Sequence, residues 1–156
     1  MSYDLTFLAK SDDQDWEDAL EALEEEQGDD GGSPDRAAWD RIVADAREFL
    51  GDVELYEDGS YLELDHEATG IQLSLYAREA GIAVPYWYSG QDAERIVALI
   101  YRLGLVVERH TGLAGYDGQV GLGVAEAAGQ PELAVTIFDQ VARSFASRGI
   151  VSPSNE

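Results

Sequence analysis

The sequence predicts an α+β fold, an antiparallel β-meander sheet of about five to six strands covered by three to four helices, in the order β-α-α-β-β-β-β-α-β-α. Three observations predict it. Period-two segments separated by turn residues fill the stretch from residue 53 to 88. Apolar stripes of helical period flank that stretch on both sides. The chain has 156 residues, enough for one domain that buries roughly 68–70% of its unfolded surface, with no internal repeat or linker. The expected boundaries are a single domain over 1–149 and a loose tail over 150–156.

Each element has its own signal. Tyr3, Leu5 and Phe7 alternate with Asp4, Thr6 and Leu8 as a half-buried strand. Ser11-Asp12-Asp13-Gln14 reads as a capping box opening a first helix, on which Trp16, Leu20 and Leu23 form a narrow stripe. Glu24, Glu25 and Glu26 oppose the dipole at its end, so the helix should fray into Gly28-Asp29-Asp30-Gly31-Gly32. Ser33-Pro34 then reads as an N-cap and first-turn proline. Trp39, Ile42, Val43, Ala46, Phe49 and Leu50 make a second helix that Gly51 ends.

VELYE and SYLELD flank Asp58-Gly59, a strong hairpin signal. IQLSLYA sets Ile71, Leu73, Leu75 and Ala77 against Gln72, Ser74, Tyr76 and Arg78. Glu79-Ala80-Gly81 reads as a turn into IAVPYWY, where Pro85 predicts an edge or bulged strand because it cannot donate to a ladder. A third helix is expected over 91–103, with Ala93, Ile96, Val97, Ile100 and Leu103 inward and Gly104 closing it. Leu105-Val106-Val107-Glu108 reads as a short strand. Five glycines between 111 and 123 predict irregular backbone. A last helix should run from Pro131 to about Arg148 on a stripe of Ala134, Ile137, Phe138, Val141 and Phe145, stopped by Gly149.

Charge excludes more than it assigns. The chain carries 32 Asp plus Glu against 10 Lys plus Arg, a net −22, and that field opposes nucleic-acid phosphates and anionic membrane. Residues 1–30 hold twelve acids against one base, Lys10, the only lysine, so half the net charge sits in the first fifth of the chain. Three origins remain open: salt adaptation of the whole surface, an acidic face that steers a basic protein, and a carboxylate cation site. The absence of cysteine excludes disulfides, thiol nucleophiles and Cys-ligated zinc. MSYDLTFLAK has neither the basic start nor the apolar run of a signal peptide, and no stretch approaches 18 apolar residues, so the expected location is the cytoplasm.

Catalytic signals are thin. His66, within Asp65-His66-Glu67, and His110, after Arg109, are separate and lack a metal-binding His-x-x-x-His spacing. There is no G-x-S-x-G elbow, and neither a P-loop nor a complete dinucleotide glycine pattern. No catalytic residue, metal or cofactor is therefore expected. The alternative is a small-ligand binder or hydrolase using carboxylates near His66 or His110.

The more informative pattern is aromatic. Tyr86, Trp87 and Tyr88 are consecutive, and strand alternation must turn one subset away from the main core unless a helix covers both faces. Tyr116 and Asp117 in the glycine-rich segment form a second contact candidate, or simply an Asp-Gly turn. With Asp12, Asp15 and Glu21 on the acidic helix, these residues are the predicted partner-binding set.

SYDLTFLA, ELYEDGSYLELD, TGIQLSLYAREAGIAVPYW and LGLVVERHTGLAGYDGQVG, spread over residues 3–121, resemble a loose group of small, mostly uncharacterised bacterial α+β proteins that includes toxin-immunity proteins. The match departs at Gly118, where many of that group carry proline. The resemblance implies no catalysis and a role in binding another protein. The resulting expectation is an acidic interaction module engaging a basic protein, with immunity against a basic toxin as its specific form. The acidic helix would steer association, and Trp87, Tyr88 and Tyr116 would supply desolvated contacts.

Overall fold

Tyr3, Leu5 and Phe7 alternate with Asp4 and Thr6, and that period of two builds β1 (Ser2–Leu8) with the tyrosine, leucine and phenylalanine buried. The computed structural model describes residues 2–10, 15–26 and 33–147. Along them follow α1 (Trp16–Glu26), α2 (Arg36–Leu50), β2 (Glu54–Asp58), β3 (Tyr61–His66), β4 (Ile71–Leu75) and β5 (Glu79–Pro85). Then come α3 (Gly90–Thr111), β6 (Ala114–Asp117), β7 (Leu122–Gly123), α4 (Val124–Ala128) and α5 (Pro131–Ser147). The α+β class with a helix-covered antiparallel sheet is as the sequence predicts. The detail differs: there are seven strands and, among the described residues, five helices.

The sheet order is β2-β3-β4-β5-β1-β6-β7, antiparallel throughout. β2 to β5 form the meander, and the N-terminal strand joins its far side. The strand containing Pro85 is thus neither at an edge nor at a bulge. Pro85 is the last residue of β5, opposite Ser2 at the start of β1, where the ladder is ending and the missing N–H costs little. Two turns are also displaced from the expected positions. The first hairpin loop is Gly59-Ser60, because Asp58 still pairs with Tyr61. Glu79, Ala80 and Gly81 lie within β5, and the chain reverses before them, where the Tyr76 N–H donates to the Glu79 carbonyl at 2.8 Å.

The largest correction concerns α3. Gly104 does not end it; the helix runs on through Leu105-Val106-Val107-Glu108 to Thr111, and Gly112, at φ +75°, caps it by donating to the Glu108 carbonyl. The apolar period of Ile96, Ile100, Leu103 and Val107 outweighs the β-branched pair. Gly104 serves packing: a Cβ there would lie 3.0 Å from Val124 and 3.3 Å from Phe7, so its absence lets the helix settle onto β1.

The other helix ends follow simple capping chemistry. Asp15 caps α1, its carboxylate accepting from the Asp18 N–H at 2.9 Å. Asp35 caps α2 through the Ala38 N–H, so Ser33 and Pro34 precede the cap, and Gly51 ends the helix as expected. The Ser11–Gln14 capping box, the 28–32 glycine loop, the 150–156 tail and the Leu23 and Phe145 side chains lie outside the described residues.

The two sheet faces are unlike. On the inner face Leu5, Phe7, Leu64, Leu73 and Ile82 meet Trp39 and Ile42 of α2, Ile96 and Ile100 of α3, Val124 of α4 and Phe138 of α5 in one core. Gly115 points to that side, and Tyr116 to the other. Trp16 of α1 stacks on Tyr116 with ring centroids 4.8 Å apart, so α1 covers the outer face at the β6–β7 end. Among the described residues no helix covers the outer side of β2 to β5.

Candidate functional site

The predicted contact residues do not share one surface. Tyr86 is buried in the main core, edge-on to Tyr3 and tilted against Phe138. Trp87 is 40% exposed and lies over Gly70, whose φ is +80°. Tyr88 is partly buried, and its hydroxyl donates to the Thr69 carbonyl at 2.5 Å. Tyr116 is stacked under Trp16, which Lys10 in turn covers at 5.0 Å. On the acidic helix, Asp15 is the cap and Glu21 is exposed; Asp12 lies outside the described residues. Of the aromatic candidates, Trp87 alone is an exposed large side chain.

Asp117 has 0% exposure and holds a polar network within the core. The Tyr3 and Tyr101 hydroxyls both donate to its Oδ2 at 2.5 Å, and the Gln119 N–H donates to Oδ1 at 3.0 Å. With its amide oriented to satisfy the network, the Gln119 side chain donates to Oδ1 as well. Burial, followed by the bond to Asp117, pushes both tyrosine hydroxyls well above the ordinary tyrosine range, so they remain donors. This network ties β1, α3 and β6 together from inside.

The histidines are likewise tied down. The two ring nitrogens of His66 are bonded to Thr69 Oγ1 at 2.7 Å and the Leu50 carbonyl at 2.9 Å. His110 pairs with Asp45 at 2.7 Å, joining α3 to α2. In these contacts His66 meets one hydroxyl, that of Thr69, and His110 meets only a carboxylate. Among the described residues no group of three or more His, Asp or Glu side chains is placed to hold a metal ion.

The surface that the strands do assemble is the open outer face and its edge. Register aligns Glu54 with Asp65 and Gln72 in one row, and Tyr56 with Glu63 and Ser74 in the next. Tyr61 and Tyr76 lie beside them with ring centroids 5.8 Å apart. β2 to β5 carry six acids and neither lysine nor arginine. Like charges directly opposite each other destabilise a sheet, and here Glu54 faces Asp65. Loss of hydration, then its bond to Glu63 and the charges of Glu63 and Glu54, push the Asp65 carboxyl up to about 6. The Gln72 amide donates to Glu63 at 2.8 Å, and the Tyr56 hydroxyl to Glu54 at 2.7 Å.

β2 closes this end of the sheet. All five of its residues are exposed, with Leu55 at 43% and Tyr56 at 50%. Between β2 and α2 runs a groove of about 300 Å³, lined by Trp39, Val43, Ala44, Leu55 and Leu62 together with the charged Arg36, Asp40, Arg47 and Glu57 and the ring of Tyr56. An acidic hollow of about 530 Å³ bounded by Asp52, Glu54, Asp65 and Glu67 opens at the other end of the strand. Sequence reasoning missed this surface. Its signal was the polar half of each alternation, Glu54-Tyr56, Tyr61-Glu63-Asp65 and Gln72-Ser74-Tyr76, which becomes a patch only when the strands are placed in register.

No protein-family model matches this chain, and neither does any curated protein or any solved structure. Among the described residues no helix is long and apolar enough to cross a membrane.

Proposed function

We propose that this chain is a non-enzymatic interaction module that binds a basic protein in the cytoplasm, with neutralisation of a basic toxin as its specific form. The observation that carries this is the open acidic and tyrosine-bearing sheet face. Glu54, Glu63 and Asp65 crowd together at a cost to stability, and a cationic partner would relieve that cost. Tyr56, Tyr61 and Tyr76 offer rigid, amphipathic contact area among the carboxylates, a surface suited to arginine and lysine. The net charge of −22 adds long-range steering, to which Asp15 and Glu21, at the opposite end of the same face, contribute.

Capture from native lysate, washed in parallel at low and high salt, tests this with wild type and a Glu63→Lys/Asp65→Lys variant checked for folding by circular dichroism. The expected result is one stoichiometric basic protein held by wild type at low salt, released at high salt and lost by the variant. Equal capture by both proteins, or no salt-sensitive partner, would overturn it.

A further inference from the structure

We infer that β2 accepts an extended basic segment of the partner as an eighth strand, with alternate side chains of that segment entering the α2–β2 groove. This rests on the basic-partner reading above and specifies how the partner is held. Among the described residues β2 has a strand neighbour only in β3, so alternate backbone N–H and C=O groups face outward along its free edge. Such an edge is a template for strand addition, where main-chain hydrogen bonds give affinity and pockets at alternate positions give specificity.

The flanks of the edge define the incoming sequence. On the inner side Leu55, with Val43 and Ala44 of α2, presents a short apolar strip between the Arg36–Glu57 pair and Asp40 and Arg47, which suits a valine- or isoleucine-sized side chain. On the outer side Glu54, Tyr56 and Asp58 stand beside Glu63 and Asp65 and suit lysine or arginine. The occupant is thus a strand that alternates basic and apolar residues. A second copy of β2 does not fit. Glu54, Glu57 and Asp58 are three acids in five residues, and pairing two such strands would set carboxylate against carboxylate. Glu57 is drawn to Arg36 at 2.5 Å, leaving Glu54 and Asp58 toward the outer face.

A short lysine–valine alternating peptide added to the intact chain tests this by amide hydrogen exchange and NMR titration. Controls are the same peptide N-methylated along one edge, a glutamate–valine peptide, and the chain alone over a range of concentrations. The expected result is saturable binding that slows exchange at the β2 amides facing away from β3. N-methylation, which removes two or three net hydrogen bonds but no charge, should weaken binding by at least about tenfold. The glutamate peptide should not bind.

Equal binding of the methylated peptide without β2 protection would overturn strand addition while leaving acidic attraction in place. Failure of the peptide to bind at all would overturn it too, and retention of the basic protein by the wild-type chain in the capture experiment would then show that only the docking mode had failed. Protection of β2 in the chain alone that rises with concentration would assign the edge to a second copy and contradict the proposal.

Discussion

Asp117 is the residue on which the interior turns. A buried carboxylate is tolerated only when its oxygens are satisfied, and Tyr3, Tyr101 and Gln119 do this. Tyr101→Phe removes one bond to a charged acceptor and should cost about 1.5–3 kcal/mol in urea unfolding. Asp117→Ala strands two buried hydroxyls and, at about 1–3 kcal/mol for each, should cost about 2–6 kcal/mol. Both tyrosines titrate above their unfolded value of 10.0, so the folded state holds the proton more tightly. Their stabilisation is complete below pH 10 and is lost as the pH rises past it, which tyrosinate absorbance followed together with circular dichroism will report as joint ionisation and unfolding. Asp65 works in the opposite sense for a folded protein at neutral pH. Its carboxyl at about 6, above the unfolded 3.8, means that stability falls as pH rises from about 4 to about 6. Asp65→Asn should therefore melt higher than wild type at pH 7, with the difference closing below pH 4. In the sequence Asp117 looked like a turn residue beside Tyr116, since an Asp-Gly pair carries that signal whether or not the carboxylate is buried.

At the level of elements, periodicity was most legible where one face alone is buried. β1, the core-facing halves of β3 and β4, α2 and the described part of α5 follow their apolar stripes closely. Glycine misled the reading of α3, because a glycine that ends a helix and one that admits a neighbouring strand are the same letter. Gly104 and Gly115 sit on either side of Phe7 and Val124, and only the packed structure reveals that space. Gly115→Ala would bring a methyl to 2.5 Å from Phe7 and 2.7 Å from Val124. This should cost about 1–3 kcal/mol, seen as a lower urea midpoint at unchanged slope. Pro85 misled in a similar way: its chemistry forbids a donor but does not say whether the strand has already reached its last rung. Tyr86, Trp87 and Tyr88 were legible as an unusual run, yet their burial depends on α5 and on the Thr69–Gly70 turn, both distant in sequence.

Over the whole molecule, acidity and architecture divide the labour. One sheet face builds the core; among the described residues the other is covered by α1 at one end and open at the end where β2 closes the sheet. The surplus of acids was plain from composition, but its focus on β2 and β3 was not, because twelve acids of the first thirty residues drew attention to α1 instead. If the charge serves a partner, the chain should remain folded at low salt. Its melting temperature should rise only modestly as salt screens self-repulsion, whereas an adaptation to salinity would show as unfolding when KCl is removed. Binding of a cationic protein at the β2 end of the outer face is the decisive property. Titration of the captured partner against wild type and Glu63→Lys/Asp65→Lys, from low to molar salt, measures this directly. The account predicts affinity that falls steeply with salt for wild type and is weakened at least about tenfold by the reversal, since two charges at the contact change sign. Affinity indifferent to both salt and reversal would contradict it.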